Sequence, residues 1–166
     1  MAGIIFRGRK EGYWIEYQGK KKRSAGYFRQ GIKNGHWIEY NILEMKVAEG
    51  PYVDGEKEGH WIGHNFNSRG NYHRGKKDGK WVDFDCPERH DAGEYSNGIK
   101  NGFWVYFYNG QKFEEGHYLN GKKDGKWILY GEGKIVFEIE YCQGTKISSL
   151  FHGQNGSFLT SLDLII

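Results

Sequence analysis

The stretch YLNGKKDGKW, from Tyr118 to Trp127, decides how the whole chain is read. It sets an Asn-Gly step and an Asp-Gly step just ahead of a tryptophan, and both dipeptides favour the left-handed backbone of tight hairpin turns. The residues that follow, Trp127 to Tyr130, are aromatic and aliphatic side chains suited to a pleated strand with a period of two. Turn followed by strand is the signature of a β-hairpin.

Working outward, the same phrase recurs ahead of every tryptophan. Trp14, Trp37, Trp61, Trp81, Trp104 and Trp127 are spaced by 23, 24, 20, 23 and 23 residues. They follow GRKEG, GIKNG, GEKEG, GKKDG, GIKNG and GKKDG in turn, so the unit reads G-x-[YFI]-x-x-G-x-K-[DEN]-G-x-W-[IV]. Residues 1–143 therefore form six repeats of about 23 residues. Gly144 to Ser148 copy the phrase imperfectly, which makes 144–166 a degenerate seventh unit with Asn155-Gly156 as its inner turn. The array leaves no room for a separate catalytic domain.

Composition agrees with thin β-structure. Aromatics reach 17%, glycines number 26, and the mean hydropathy of −0.80 leaves little aliphatic bulk for a thick core. A formal net charge of +3 speaks against nucleic acid as a partner. Two cysteines, Cys86 and Cys142, make neither a disulfide framework nor a four-thiolate metal site. No apolar stretch approaches the ~20 residues of a spanning helix, and the first ten residues do not resemble a secretory signal. A soluble, cytoplasmic protein is expected.

A four-residue loop Gly121–Asp124 would place Asn120 opposite Gly125 and Tyr118 across from Trp127. The same register pairs Ile5 with Trp14, Phe28 with Trp37, Tyr52 with Trp61, Tyr72 with Trp81, Tyr95 with Trp104 and Tyr141 with Leu150. Gly116 would then face Leu129 and leave bare backbone for an indole to cover. Gly12, Gly35, Gly59, Gly79, Gly102 and Gly125 are expected in the left-handed conformation, closing the turns. The expected fold is all-β: an elongated, open-ended, single-layer antiparallel meander of thirteen or fourteen strands.

NGKKDGKW at 120–127 resembles the phrase of the MORN repeat family in its short variant, the YwqK-like bacterial type, and six units carry the match. The resemblance implies a single-layer β-sheet that holds partners: proteins, membranes or, in the bacterial relatives, a toxin. It implies no catalytic residues and no cofactor.

Candidate functional residues fall into rows. Lys10, Lys33, Lys57, Lys77, Lys100 and Lys123 recur in the turn phrase and suit anionic headgroups or an acidic partner; against this, each stands beside Glu11, Asn34, Glu58, Asp78, Asn101 or Asp124, and where that neighbour is an acid it neutralises much of the field. Trp14, Trp37, Trp61, Trp81, Trp104 and Trp127 share one face with Tyr52, Tyr72, Tyr95 and Tyr118 as structural residues. Ile15, Ile38, Ile62, Val82, Val105 and Ile128 point to the other face. Tyr17, Tyr40, Phe84, Phe107 and Tyr130 join them there as candidate contacts for a protein partner. His36, His60, His64 and His73 do not make a metal site, because strand positions four apart lie ~13 Å from one another. Cys86 near His90 lacks the supporting groups of a nucleophile. Lys20 to Arg23 reads as a solvated loop, with a nuclear-import signal as the alternative. The apolar ending FLTSLDLII is a self-capping strand or a homodimer contact. The expected function is a non-enzymatic interaction or scaffolding module, toxin-neutralising or immunity-type in a bacterial setting. The alternative is a peripheral membrane adaptor binding anionic phospholipid through the lysine row.

Overall fold

A computed structural model describes residues 3–65, 68–153 and 158–160. The chain divides into two compact units, Met1–Trp81 and Val82–Ile166. Both are all-β and antiparallel, and no helix occurs among the described residues. The first unit contains β1 (Ile4–Phe6), β2 (Arg9–Gln18), β3 (Lys21–Arg29), β4 (Ile32–Tyr40), β5 (Lys46–Val53), β6 (Glu56–Lys57), β7 (Gly59–Gly63) and β8 (Arg69–His73). Strand β9 (Lys76–Cys86) carries the boundary. The second unit contains β10 (Arg89–Ser96), β11 (Ile99–Tyr108), β12 (Gln111–Leu119), β13 (Lys122–Gly131), β14 (Lys134–Cys142), β15 (Thr145–His152) and β16 (Phe158–Thr160). Within each unit neighbouring strands follow chain order, as short turns require, and the short β6 pairs back onto β5. Neither β1 with β8 nor β10 with β16 closes a barrel. The expected open meander of hairpins is present in both units.

The register differs from the expected one. Leu119 pairs with Lys122, so the β12–β13 turn has two residues, Asn120 and Gly121, at φ 51° and 79°. Positive φ at both positions is the turn that Asn-Gly satisfies best. Gly125 is left-handed as expected, at φ 67°, yet it lies in a bulge past the turn and does not close it. The bulge shifts every facing pair. Tyr118 opposes Lys123, and Trp127 opposes Gly116 in place of Tyr118.

Corresponding corrections apply along the chain. Ile5 pairs with Lys10, Phe28 with Lys33, Tyr52 with Lys57, Tyr95 with Lys100 and Tyr141 with Lys146. Glycine and tryptophan therefore face each other: Trp14–Gly26–Trp37–Gly50 across β2 to β5, and Trp104–Gly116–Trp127 across β11 to β13. The bare backbone under each indole is where the sequence suggested, supplied by a different pair.

The indoles are the core. Trp37, Trp61, Trp81, Trp104 and Trp127 are at most 3% exposed, and Trp14 is half-buried. Edge-on rings join them into a column. In the first unit Phe28, Trp37, Tyr52, Trp61, Tyr72 and Trp81 follow one another at centroid spacings of 4.9–6.0 Å. In the second, Tyr95, Trp104, Tyr118, Trp127 and Tyr141 do so at 5.1–6.3 Å. Each of the five buried indole N–H groups donates to a backbone carbonyl ten residues upstream, as Trp127 does to His117 at 3.0 Å. No buried donor is left over on these rings, which is what full burial of Trp demands.

The degenerate unit breaks the pattern for a visible reason. Its phrase, Gly144-Thr-Lys-Ile-Ser148, has no glycine to take the left-handed bulge position. One residue fewer is accommodated, and Ser149, not Leu150, falls opposite Ile139. A slip of one residue moves a side chain to the other face. The expected Tyr141–Leu150 pair is absent, and Leu150 pairs with Glu138. Strand β16 pairs with β15, but Asn155-Gly156 and residues 161–166 of the proposed cap or dimer contact lie outside the described residues.

Candidate functional site

The turn lysines do not stand free over solvent. Once Lys123 sits opposite Tyr118, its chain lies across the indole of the same hairpin, with Nζ 3.9 Å from the Trp127 ring centroid. Lys33, Lys57 and Lys100 repeat this over Trp37, Trp61 and Trp104 at 3.8–3.9 Å, and Lys77 lies 4.4 Å from Trp81. Lys10 reaches both Trp14 and Phe28, at 5.3 and 4.6 Å. An ammonium over an indole face is attracted by the ring quadrupole, more so when partly desolvated.

A carboxylate completes five of these stacks. Glu16 accepts from Lys10 and Lys33, Glu39 from Lys57, Asp91 from Lys100 and Glu114 from Lys123. Sequence reasoning assigned none of these acids, although Glu16 and Glu39 stand at the same place, two residues after Trp14 and Trp37. Burial pushes the phenols of Tyr52, Tyr95 and Tyr106 well above their ordinary range, with hydrogen bonds to Glu39, Asp83 and Tyr118 adding to it. These hydroxyls stay protonated and serve the packing.

The acid or amide beside four of the lysines has another task. Glu11, Glu58, Asn101 and Asp124 accept the backbone N–H of Gln30, Arg74, Asn120 and Gln143, the first residue of the next hairpin's turn. The lysine carbonyl accepts the N–H of the turn glycine after it: Lys10 from Gly31, Lys33 from Gly55, Lys57 from Gly75, Lys100 from Gly121 and Lys123 from Gly144, at 2.8–2.9 Å. In the phrases of Lys10, Lys57, Lys100 and Lys123 every part of K-[DEN]-G-x-W is thus spent inside the protein. Lysine caps the indole, the acid caps the next turn, glycine makes the bulge, and tryptophan fills the column.

The other face is less covered. There Ile15, Tyr17 and Tyr27 are 40%, 59% and 52% exposed, with Tyr13 edge-on to Tyr27 at 5.3 Å. Strands β2 and β3 hold these four together, since Tyr13 faces Tyr27 and Ile15 faces the buried Ala25. Tyr40 is half-covered by Lys22, whose Nζ lies 4.0 Å from its ring. In the second unit Phe84 and Phe107 clasp the His90 ring at 5.3 and 4.7 Å, and Tyr130 meets Lys112 and Glu115. Of the five candidate contacts on this face, Tyr17 alone is mostly open. Tyr13 and Tyr27 were missed because they flank, and do not occupy, the repeated positions.

Three basic side chains surround Glu49 on that face. Lys46 lies 3.1 Å away, and the rings of His36 and His64 lie at 3.1 and 2.8 Å. The hydrogen bond from Lys46, opposed by burial and helped by both histidines, holds the Glu49 carboxyl down at about 2. His60 and His73 bond Asn71 and Glu58 instead. Among the described residues no three His, Cys, Asp or Glu side chains are placed to hold a metal ion. Cys86 and Cys142 are exposed and free. Among the described residues no helix is long and apolar enough to cross a membrane. No protein-family model matches this chain, and no curated protein is similar to it.

Proposed function

We propose that this chain is a non-enzymatic display scaffold of MORN-like hairpins, in which the tryptophan face gives rigidity and the opposite face of the first unit contacts a protein partner. The observation that carries this reading is the contrast between the faces: five indoles at most 3% exposed, against Ile15, Tyr17 and Tyr27 at 40–59%. Tyrosine and isoleucine on rigid strands offer contact area at low cost in side-chain entropy. The hairpin repeat supports the MORN-like assignment. The alternative, an adaptor gripping anionic lipid through the turn lysines, finds less support, because the Lys33, Lys57, Lys100 and Lys123 ammonium groups are already held by an indole and a carboxylate.

Quantitative affinity capture tests the proposal. Immobilised chain is compared with a Tyr17→Ser/Tyr27→Ser variant of unchanged thermal midpoint. Near-stoichiometric recovery of one protein by the wild type, lost in the variant, supports the reading. Equal recovery by both, or none by either, overturns it.

A further inference from the structure

At the start of the first unit, the repeating bond pattern stops one step short. In four of the later hairpins the turn receives a carbonyl on the glycine N–H and a side-chain oxygen on the N–H before it, both from the preceding phrase, and Gly55 in another receives the Lys33 carbonyl. The first turn, Arg7-Gly8, has the same left-handed geometry at φ 49° and 74°. Among the described residues its two N–H groups meet no acceptor. A Cβ added at Gly8 would find nothing within 4 Å, whereas at Gly31 it would touch Arg9.

Strand β1 repeats the vacancy along its length. Among the described residues it pairs with β2 alone, through Ile4–Glu11, Ile5–Lys10 and Phe6–Arg9. Phe6 and Arg9 close the two-residue turn as a bonded pair, so the Ile5 N–H and C=O point away from β2. Ile4, Ile5 and Phe6 are 56–61% exposed. Their counterparts on β3 are covered by β2 on one side and β4 on the other. The local charge is positive: Arg7, Arg9 and Lys10 occur before the first acid, Glu11, and no carboxylate among the described residues pairs with Arg7 or Arg9.

We infer that β1 is a docking edge for an acidic, extended segment of a partner protein, which adds as a strand and seats a backbone carbonyl and an Asp or Glu carboxylate on the Arg7-Gly8 turn. The internal hairpins define the fit. Lys10 places its carbonyl on Gly31 and the Glu11 carboxylate on Gln30, and the chain then runs antiparallel along β3 from Gly12 opposite Phe28 to Tyr13 opposite Tyr27. A ligand built likewise offers any residue, then an acid, then two or three strand residues beside Ile5 and Ile4. Main-chain bonds give affinity in this mode, and the acid sets the register. A second copy meeting β1 with its own β1 would bring arginines toward arginines, so charge favours an acidic occupant. This edge is separate from the Tyr17 and Tyr27 surface, and either assignment can fail without the other.

The probe is a labelled peptide EEDGEWILY, which copies residues 122–130 with glutamate at each lysine, titrated into the full chain at low salt. Saturable binding is expected, with amide exchange slowed at Arg7 and Gly8. Ile5→Pro removes an outward N–H while sparing the bonds to β2, and it is expected to abolish binding. Arg7→Glu with Arg9→Glu keeps the strand intact and is expected to weaken binding by about tenfold or more. Replacing the aspartate of the peptide by alanine is expected to release the Arg7 amide alone. Absence of binding to the wild type overturns the inference. So does equal affinity for the folded arginine variant, or a dimer formed through this edge that excludes the peptide.

Discussion

Gly116 lies directly opposite Trp127, and a Cβ built on Gly116 would fall 2.3 Å from the indole Cδ2. The same clash awaits Gly26 with Trp37, Gly50 with Trp61, Gly70 with Trp81 and Gly93 with Trp104. One missing side chain per hairpin makes room for one indole, and the indole cannot yield because edge-on rings hold it on both sides.

Gly116→Ala is therefore expected to destabilise the protein by about 1–3 kcal/mol through overpacking. Gly110→Ala, at an outer turn with φ 73° and nothing within 4 Å of the added carbon, carries backbone strain without a clash. Urea unfolding of the two variants separates the effects. A Gly116 variant as stable as the Gly110 variant would refute the contact.

Lys100 and Asp91 form a coupled pair above Trp104. Asp91 is buried, so removing Lys100 strands a charge. Lys100→Met is expected to cost about 1–3 kcal/mol or more, and adding Asp91→Asn should recover part of it. A double-mutant cycle with no coupling energy would show that the pair is incidental.

The cap between hairpins has a local signature. Asp124→Ala leaves the Gln143 N–H without its acceptor and is expected to cost about 0.5–1.5 kcal/mol. Hydrogen exchange should quicken at Gln143 and not at Asn120, whose acceptor is Asn101. Uniform quickening along the chain would contradict this.

Glu49 predicts an acid limb. Its folded carboxyl is held at about 2 against an ordinary 4.5, so the stability it contributes is present in full above pH 4.5 and disappears as pH falls toward 2. Thermal midpoints of Glu49→Gln should depend less on pH across that window than those of the wild type. Parallel curves would remove Glu49 from the account.

How much of this was legible depends on which contacts are local. Strands, repeat and left-handed Gly125 follow from turn chemistry and alternation within one hairpin. The register did not follow, because Asn120-Gly121 and Asp124-Gly125 are two turn signals four residues apart, and only pairing shows that one is the turn and the other a bulge. That error hid the lysine's role, since Lys123 reaches its indole only when it faces Tyr118. The bond from Asp124 to Gln143 spans 19 residues and joins successive hairpins, so no single phrase reveals it. Ser148 in place of the bulge glycine was readable as degeneracy, yet the slip that turns Leu150 to the other face was not.

The central claim is that the repeated phrase is consumed in holding hairpins together. Amine acetylation of the native protein, followed by residue-level mass spectrometry, measures this at each lysine. Lys33, Lys57, Lys100 and Lys123 are expected to react about tenfold or more slowly than the exposed Lys20, Lys21, Lys134 and Lys146, with the difference vanishing in denaturant. Equal rates in the native state would mean that the turn lysines are free, and the account would be contradicted.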